Sequence, residues 1–98
     1  MSLLVNLCST NTAELKNFLS SFYKRDVDIA EGAGLWFQEY SDPLESADLI
    51  SAVMDNSDKY HIVMYLQPGH GKLTKITEEN YNDIIKGLYI RYYCESSF

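Results

Sequence analysis

The sequence predicts an α+β domain of the α/β-sandwich type, a small mixed sheet covered by helices, with elements in the order β-α-β-α-β-β-α. Two observations predict it. Three segments open on a helix start signal and continue as an apolar stripe of helical period. Short apolar or alternating runs that read as strands lie before and between them. With 98 residues, a single domain over 1–98 is expected. A chain of this size buries roughly 65% of its unfolded surface, enough for one core.

The first strand is Leu3-Leu4-Val5-Asn6-Leu7-Cys8, a short apolar run. Asn11 with Glu14 three residues later makes a capping-box pattern, in which the Asn side chain accepts from a free helix N–H and the Glu reaches back. Leu15, Phe18, Leu19, Phe22 and Tyr23 then share one helical stripe. Lys24-Arg25 suits the negative pole of the helix dipole. Val27-Asp28-Ile29 alternates briefly, and Glu31-Gly32-Ala33-Gly34 reads as a turn or loop. Leu35 to Tyr40 reads as a strand with Trp36, Gln38 and Tyr40 on one face. The pattern leaves open whether 27–40 is one bent strand or a hairpin.

Asp42-Pro43-Leu44-Glu45 is the clearest helix start, with a capping Asp and a proline whose fixed φ suits the first helical position. Ala47, Ile50, Val53 and Met54 form its buried stripe, with Leu49 beside it, and Asp55-Asn56-Ser57-Asp58 ends it. Tyr60–Gln67 alternates as a strand, Pro68-Gly69-His70-Gly71 is a tight connection, and Leu73–Ile76 returns as the second arm of an antiparallel hairpin. Thr77 caps the last helix, whose stripe is Tyr81, Ile84, Ile85, Leu88, Tyr89 and Tyr92. A thioredoxin-like fold has this order of elements. A ferredoxin-like split βαβ fits if 27–40 is a hairpin.

Composition narrows the function classes. The formal charge is −6, so phosphate backbones and anionic lipid surfaces are repelled, and neither nucleic acid nor a membrane is expected as partner. Two cysteines, Cys8 and Cys94, are too few for a disulfide scaffold. The chain opens with no signal-peptide pattern and holds no apolar run near ~18 residues, so a cytoplasmic protein with reduced thiols is expected.

No catalytic or metal-binding constellation emerges. Cys8 lies at the junction of the first strand and first helix, where a helix N-terminus would favour the thiolate. Cys8-Ser9-Thr10-Asn11 lacks a second cysteine, however, and no proline precedes the Tyr60–Gln67 strand. Gly69-His70-Gly71-Lys72 is followed by Leu73 rather than the Ser or Thr of a phosphate-binding loop. His61 and His70 have no Cys or carboxylate at ligand spacing, and neither a metal nor a cofactor is expected. Glu39, Asp42, Glu45 and Asp48 form an acidic stretch that capping and solvation explain.

The aromatics point to a contact surface. Trp36 and Tyr40 share a strand face, and Tyr93 and Phe98 fall off the apolar stripe of the last helix. These four are the candidate partner-binding residues. Three stretches resemble a group of small uncharacterised bacterial proteins, many of them clostridial. They are Glu14–Leu19 with Phe22-Tyr23, Ala47–Ile50 through Asp55–Tyr60, and Asp83–Tyr89 with Arg91-Tyr92. The resemblance implies a bacterial cytoplasmic protein and carries no activity. The function expected from the residues is a non-enzymatic acidic module that docks on another protein, an immunity- or antitoxin-like inhibitor of a basic partner being one version. Two alternatives stand beside it: a thiol redox or thiol-transfer protein using Cys8, and a homodimeric structural protein.

Overall fold

A computed structural model of the chain describes residues 3–29, 36–56, 61–68 and 71–96, except for the side chains of Thr12, Trp36, Pro68 and residues 94–96. The elements are β1 (Leu3–Cys8), α1 (Thr12–Tyr23), β2 (Trp36–Ser41), α2 (Pro43–Asp55), β3 (Val63–Pro68), β4 (Thr74–Lys75) and α3 (Tyr81–Ser96). Their order is the one the sequence predicts. The turn at 31–34 and the tip of the hairpin, Gly69-His70, lie outside the described residues.

The four strands form one sheet in the order β2-β1-β3-β4. Every neighbouring pair is antiparallel, so the sheet is not mixed as expected. A parallel β1–β2 pair would need α1 to carry the chain back to the start of β1 and feed β2 at once. Instead, twelve residues (24–35) separate α1 from β2. At about 3.3 Å each they reach twice the length of a six-residue strand, so β2 can start from the opposite end. β2 and β3 therefore run parallel to each other with β1 between them, a split βαβ unit built on α2. Within 27–40, residues 36–40 belong to β2, 30–35 lie outside the described residues, and 26–29 is irregular with Val27 buried in the core.

All three helices lie against the same face of this sheet. On that face, Leu3, Val5 and Leu7 are fully buried beside Phe37, Met64, Leu66 and Ile76. α1 reaches it through Tyr23, whose ring centroid stands 5.8 Å from that of Phe37. α2 reaches it through a hydrogen bond between the buried hydroxyls of Ser41 and Ser46. α3 seats Leu88 in the same core. The opposite face carries Leu4, Asn6, Cys8, Gln38, Tyr40, Val63, Tyr65 and Lys75, with no helix over it among the described residues.

Local chemistry sets the helix ends. Asn11 caps α1 by accepting from the N–H of Glu14 (3.1 Å). The reciprocal bond from Glu14 does not form, since the Asn11 N–H is taken by the Ser9 hydroxyl at 3.2 Å. α1 ends at Lys24 in a left-handed conformation (φ 56°), its N–H donating to Ser20 O. Asp42 accepts from the Glu45 N–H at 2.7 Å with Pro43 in the first turn of α2. Thr77 and Asn80 exchange bonds at 2.8 and 3.3 Å, and Tyr81 N–H donates to Thr77 O to open α3. β3 starts at Val63, later than the alternation suggests, because His61 takes a positive φ of 50° that interrupts extended backbone. Tyr89, counted on the α3 stripe, is exposed.

Two stability changes follow. Ser46→Ala leaves the Ser41 hydroxyl buried without its partner and should cost about 1–3 kcal/mol in urea unfolding. Lys24→Gly relieves the left-handed strain at the α1 C-cap and should raise the free energy of unfolding measured in urea by up to about 1 kcal/mol.

Candidate functional site

α1 and α2 run antiparallel over the sheet. α2 and α3 pack closely, whereas α1 and α2 stand apart with a groove between them. One end of the groove is a cleft of about 410 Å³ lined by Phe22, Tyr23, Asp42, Leu44, Glu45 and Asp48. The other end, of about 470 Å³, lies between Asn17, Phe18, Ser21, Phe22, Ala52 and Asn56. Phe22 belongs to both. The first end is acidic and aromatic; the second is uncharged, with Phe18, Phe22 and Ala52 beside Asn17, Ser21 and Asn56.

Three elements converge at the acidic end. The cap geometry of α2 puts Asp42 at its start, and Glu45 and Asp48 follow at three-residue spacing on one side of the helix. β2 contributes Glu39, which faces the helices because it lies opposite Val5. α1 contributes Phe22 and Tyr23, whose rings meet edge to face at 4.9 Å. Arg25 follows α1, and its guanidinium donates to both Glu39 oxygens at 2.8 Å while lying 4.9 Å from the Tyr23 ring centroid. Half-exposed, that pair contributes little to stability. It ties the Arg25 guanidinium to Glu39, so Arg25 reaches Glu45 only as a partial counterweight to the surrounding carboxylates.

The crowding has a measurable signature. Burial raises the Glu45 carboxyl above its usual range, and Asp42, Glu39 and Asp48 raise it further against the pull of Arg25. Burial pushes the Tyr23 phenol well above its usual range, with Glu39 and Glu45 adding to it. The Tyr23 hydroxyl is buried with no hydrogen-bond partner among the described residues. Within those residues, no three His, Cys, Asp or Glu side chains gather closely enough to hold a metal ion. The carboxylates line the cleft without converging on a point.

The residues singled out in the sequence are dispersed. Tyr40 is 69% exposed on the uncovered face of the sheet. Trp36 occupies the same face by register, opposite Cys8, though its side chain lies outside the described set. Tyr93 is 65% exposed on α3, in the helical layer, with its ring 5.5 Å from that of Tyr92. Phe98 lies outside the described residues. Tyr40 and Tyr93 thus belong to different layers and form no common patch. Cys8 points to the uncovered face, and its thiol donates to Val63 O at 3.8 Å. α1, capped by Asn11, packs against the other face of the sheet through Tyr23.

Sequence reasoning missed Phe22 and Tyr23, which it assigned to the core stripe of α1, and assigned the acidic stretch to capping. One signal was available. Asp48 is too far into α2 to serve the cap, yet it shares a side with Glu45.

No family model, curated protein or solved structure matches this chain.

The Glu45 carboxyl should titrate above its usual 4.5 when followed by NMR, with Asp42→Asn lowering the midpoint and Arg25→Gln raising it. The folded protein holds this proton more tightly than the unfolded chain. Glu45 therefore contributes stability below about 4.5 that is lost as pH rises through its raised midpoint. In Glu45→Gln that decline should be missing from the stability–pH profile.

Proposed function

We propose that this protein is a non-enzymatic binding module that docks on a basic protein through the acidic end of the α1–α2 groove. One observation carries the reading: Asp42, Glu45 and Asp48 gather along an aromatic-floored cleft whose nearest cation is already paired with Glu39. Like charges held together in this way oppose one another, and an incoming lysine or arginine relieves the repulsion. Phe22, Tyr23 and Leu44 offer apolar surface to the methylene stem of such a side chain. Carboxylates spread along a cleft suit a row of basic side chains better than a single ion. The net charge of −6 adds long-range steering toward a basic surface, which speeds association and makes it salt-sensitive. An inhibitor of a basic partner is the concrete version.

A second reading, a homodimer, has a separate observation behind it. The uncovered sheet face presents Tyr40 and carries no acidic side chain among the described residues, in a chain with fourteen of them. A face free of like charge is where two copies of an acidic chain could meet. The thiol reading has the free thiol of Cys8 on that same face.

A tagged pull-down from cells of the source, at low and high salt, tests the docking reading. A stoichiometric basic protein should be captured at low salt and lost at high salt. Asp48→Lys, an exposed change on the cleft, should weaken capture on the order of tenfold while leaving thermal stability near that of the parent. Capture indifferent to both salt and Asp48→Lys sinks the reading. Light scattering decides the second reading, since a mass of one chain excludes the dimer.

A further inference from the structure

A second cleft, remote from the acidic one in character, lies between α3 and the β1–β3 part of the sheet. Its volume is about 210 Å³, and Leu3, Leu66, Ile84 and Leu88 make its apolar wall. Thr74 of β4, Gly87 and Arg91 complete it. Ile84, Gly87, Leu88 and Arg91 are spaced i, i+3, i+4 and i+7, so one side of α3 supplies them all.

Gly87 is the informative residue. Glycine inside a helix costs roughly 1 kcal/mol relative to alanine, so it calls for a reason. Close packing is not the reason here: a Cβ built on Gly87 meets no atom within 4 Å. Nor is its backbone left-handed, since the positive-φ residues other than glycine are Lys24 and His61 and Gly87 carries no such angle. What the glycine does is keep the cleft open at mid-wall. Arg91 then sits one turn further along, and no carboxylate among the described residues is paired with it.

We propose that this cleft binds a small amphiphilic carboxylate of the medium-chain fatty-acid class, with its chain against Ile84 and the accessible edges of Leu66 and Leu88 and its carboxylate on the Arg91 guanidinium. The volume is below that of pockets that hold drug-sized ligands, which limits the chain to a short or medium one. Apolar burial supplies the attraction for the chain. A guanidinium fork matches a carboxylate geometrically and gives charge-assisted hydrogen bonds that select the acid over the corresponding alcohol. The overall negative charge repels anions from the rest of the surface, so binding depends on this local cation. The site is independent of the protein-docking cleft and stands or falls separately from it.

The test is a titration of the isotopically labelled full chain with octanoate, followed by amide NMR, with octanol as the uncharged probe. Saturable shifts at millimolar octanoate, centred on Leu66, Gly87 and Leu88, are expected. Octanol should bind at least about tenfold more weakly, and Arg91→Gln should weaken octanoate by a similar factor while leaving octanol unchanged. Gly87→Leu should fill the cleft and abolish binding of both. Gly87→Ala, which only removes the helix penalty, should fold with a higher melting temperature and retain at least part of the affinity. The proposal is overturned if octanoate gives no saturable shifts at these residues, if octanol binds as tightly, or if Arg91→Gln leaves octanoate affinity unchanged.

Discussion

Everything in this fold is arranged about β1. It is hydrogen-bonded on both edges, to β2 and to β3, and three of its side chains, Leu3, Val5 and Leu7, lie fully buried beneath the helical layer. Side chains alternate along a strand, so burying these three on one face necessarily turns Leu4, Asn6 and Cys8 to the other. A slip of one residue in register would exchange the two sets and place Asn6 in the core. The apolar face admits all three helices, and each is anchored to it by a specific contact: Tyr23 on Phe37, Ser46 on Ser41, and Leu88 in the central cluster. On the other face Gln38, Tyr40 and Lys75 are exposed, while Leu4, Cys8, Val63 and Tyr65 are half-buried and Asn6 is buried. There Asn6 is satisfied across the strands by Gln38, whose amide donates to it at 2.8 Å.

Placing three helices side by side on one sheet face has consequences for the surface. Where two helices pack closely, as α2 and α3 do, little is left between them. Where they diverge, as α1 and α2 do, a groove opens whose floor is the shared aromatic core and whose walls are whatever the helices carry. In this chain the wall of α2 is acidic. The helix N-terminus tolerates Asp42 and Glu45 because its free N–H groups and positive pole favour negative charge. Asp48 and Glu39 extend the acidic field along the cleft, and the Glu45 carboxyl is raised first by burial and then by Asp42, Glu39 and Asp48. The Tyr23 hydroxyl, whose residue lines the same cleft, is buried with no hydrogen-bond partner among the described residues.

Strand order and strand direction illustrate a different dependence. The twelve residues between α1 and β2 are long enough to reach either end of the sheet, so local preference leaves both a parallel and an antiparallel β2 open. The choice is made by which arrangement lets β2 bury Phe37 and Ser41 against α1 and α2 while Glu39 meets Arg25. Those contacts join residues far apart in the chain, and no periodicity records them.

By itself the sequence determined what depends on neighbours a few residues away. The existence and order of all seven elements, the caps at Asn11, Asp42 and Thr77, the β3–β4 hairpin and the buried stripes of α1 and α2 are local. They follow from the periods of helix and strand and from side chains that reach their own backbone. The strand face shared by Trp36 and Tyr40 was legible for the same reason. Tertiary structure alone decided the rest. It set the direction of β2, put all three helices on one face, separated Tyr40 from Tyr93, and turned Cys8 to the face opposite α1. It also gathered Phe22 and Tyr23 with Asp42, Glu45 and Asp48, and Gly87 with Arg91 beside Leu3 and Leu66. The physical reason is the same in each case: the deciding energies are burial and charge terms between distant segments, and these acquire values only once the sheet has set the distances.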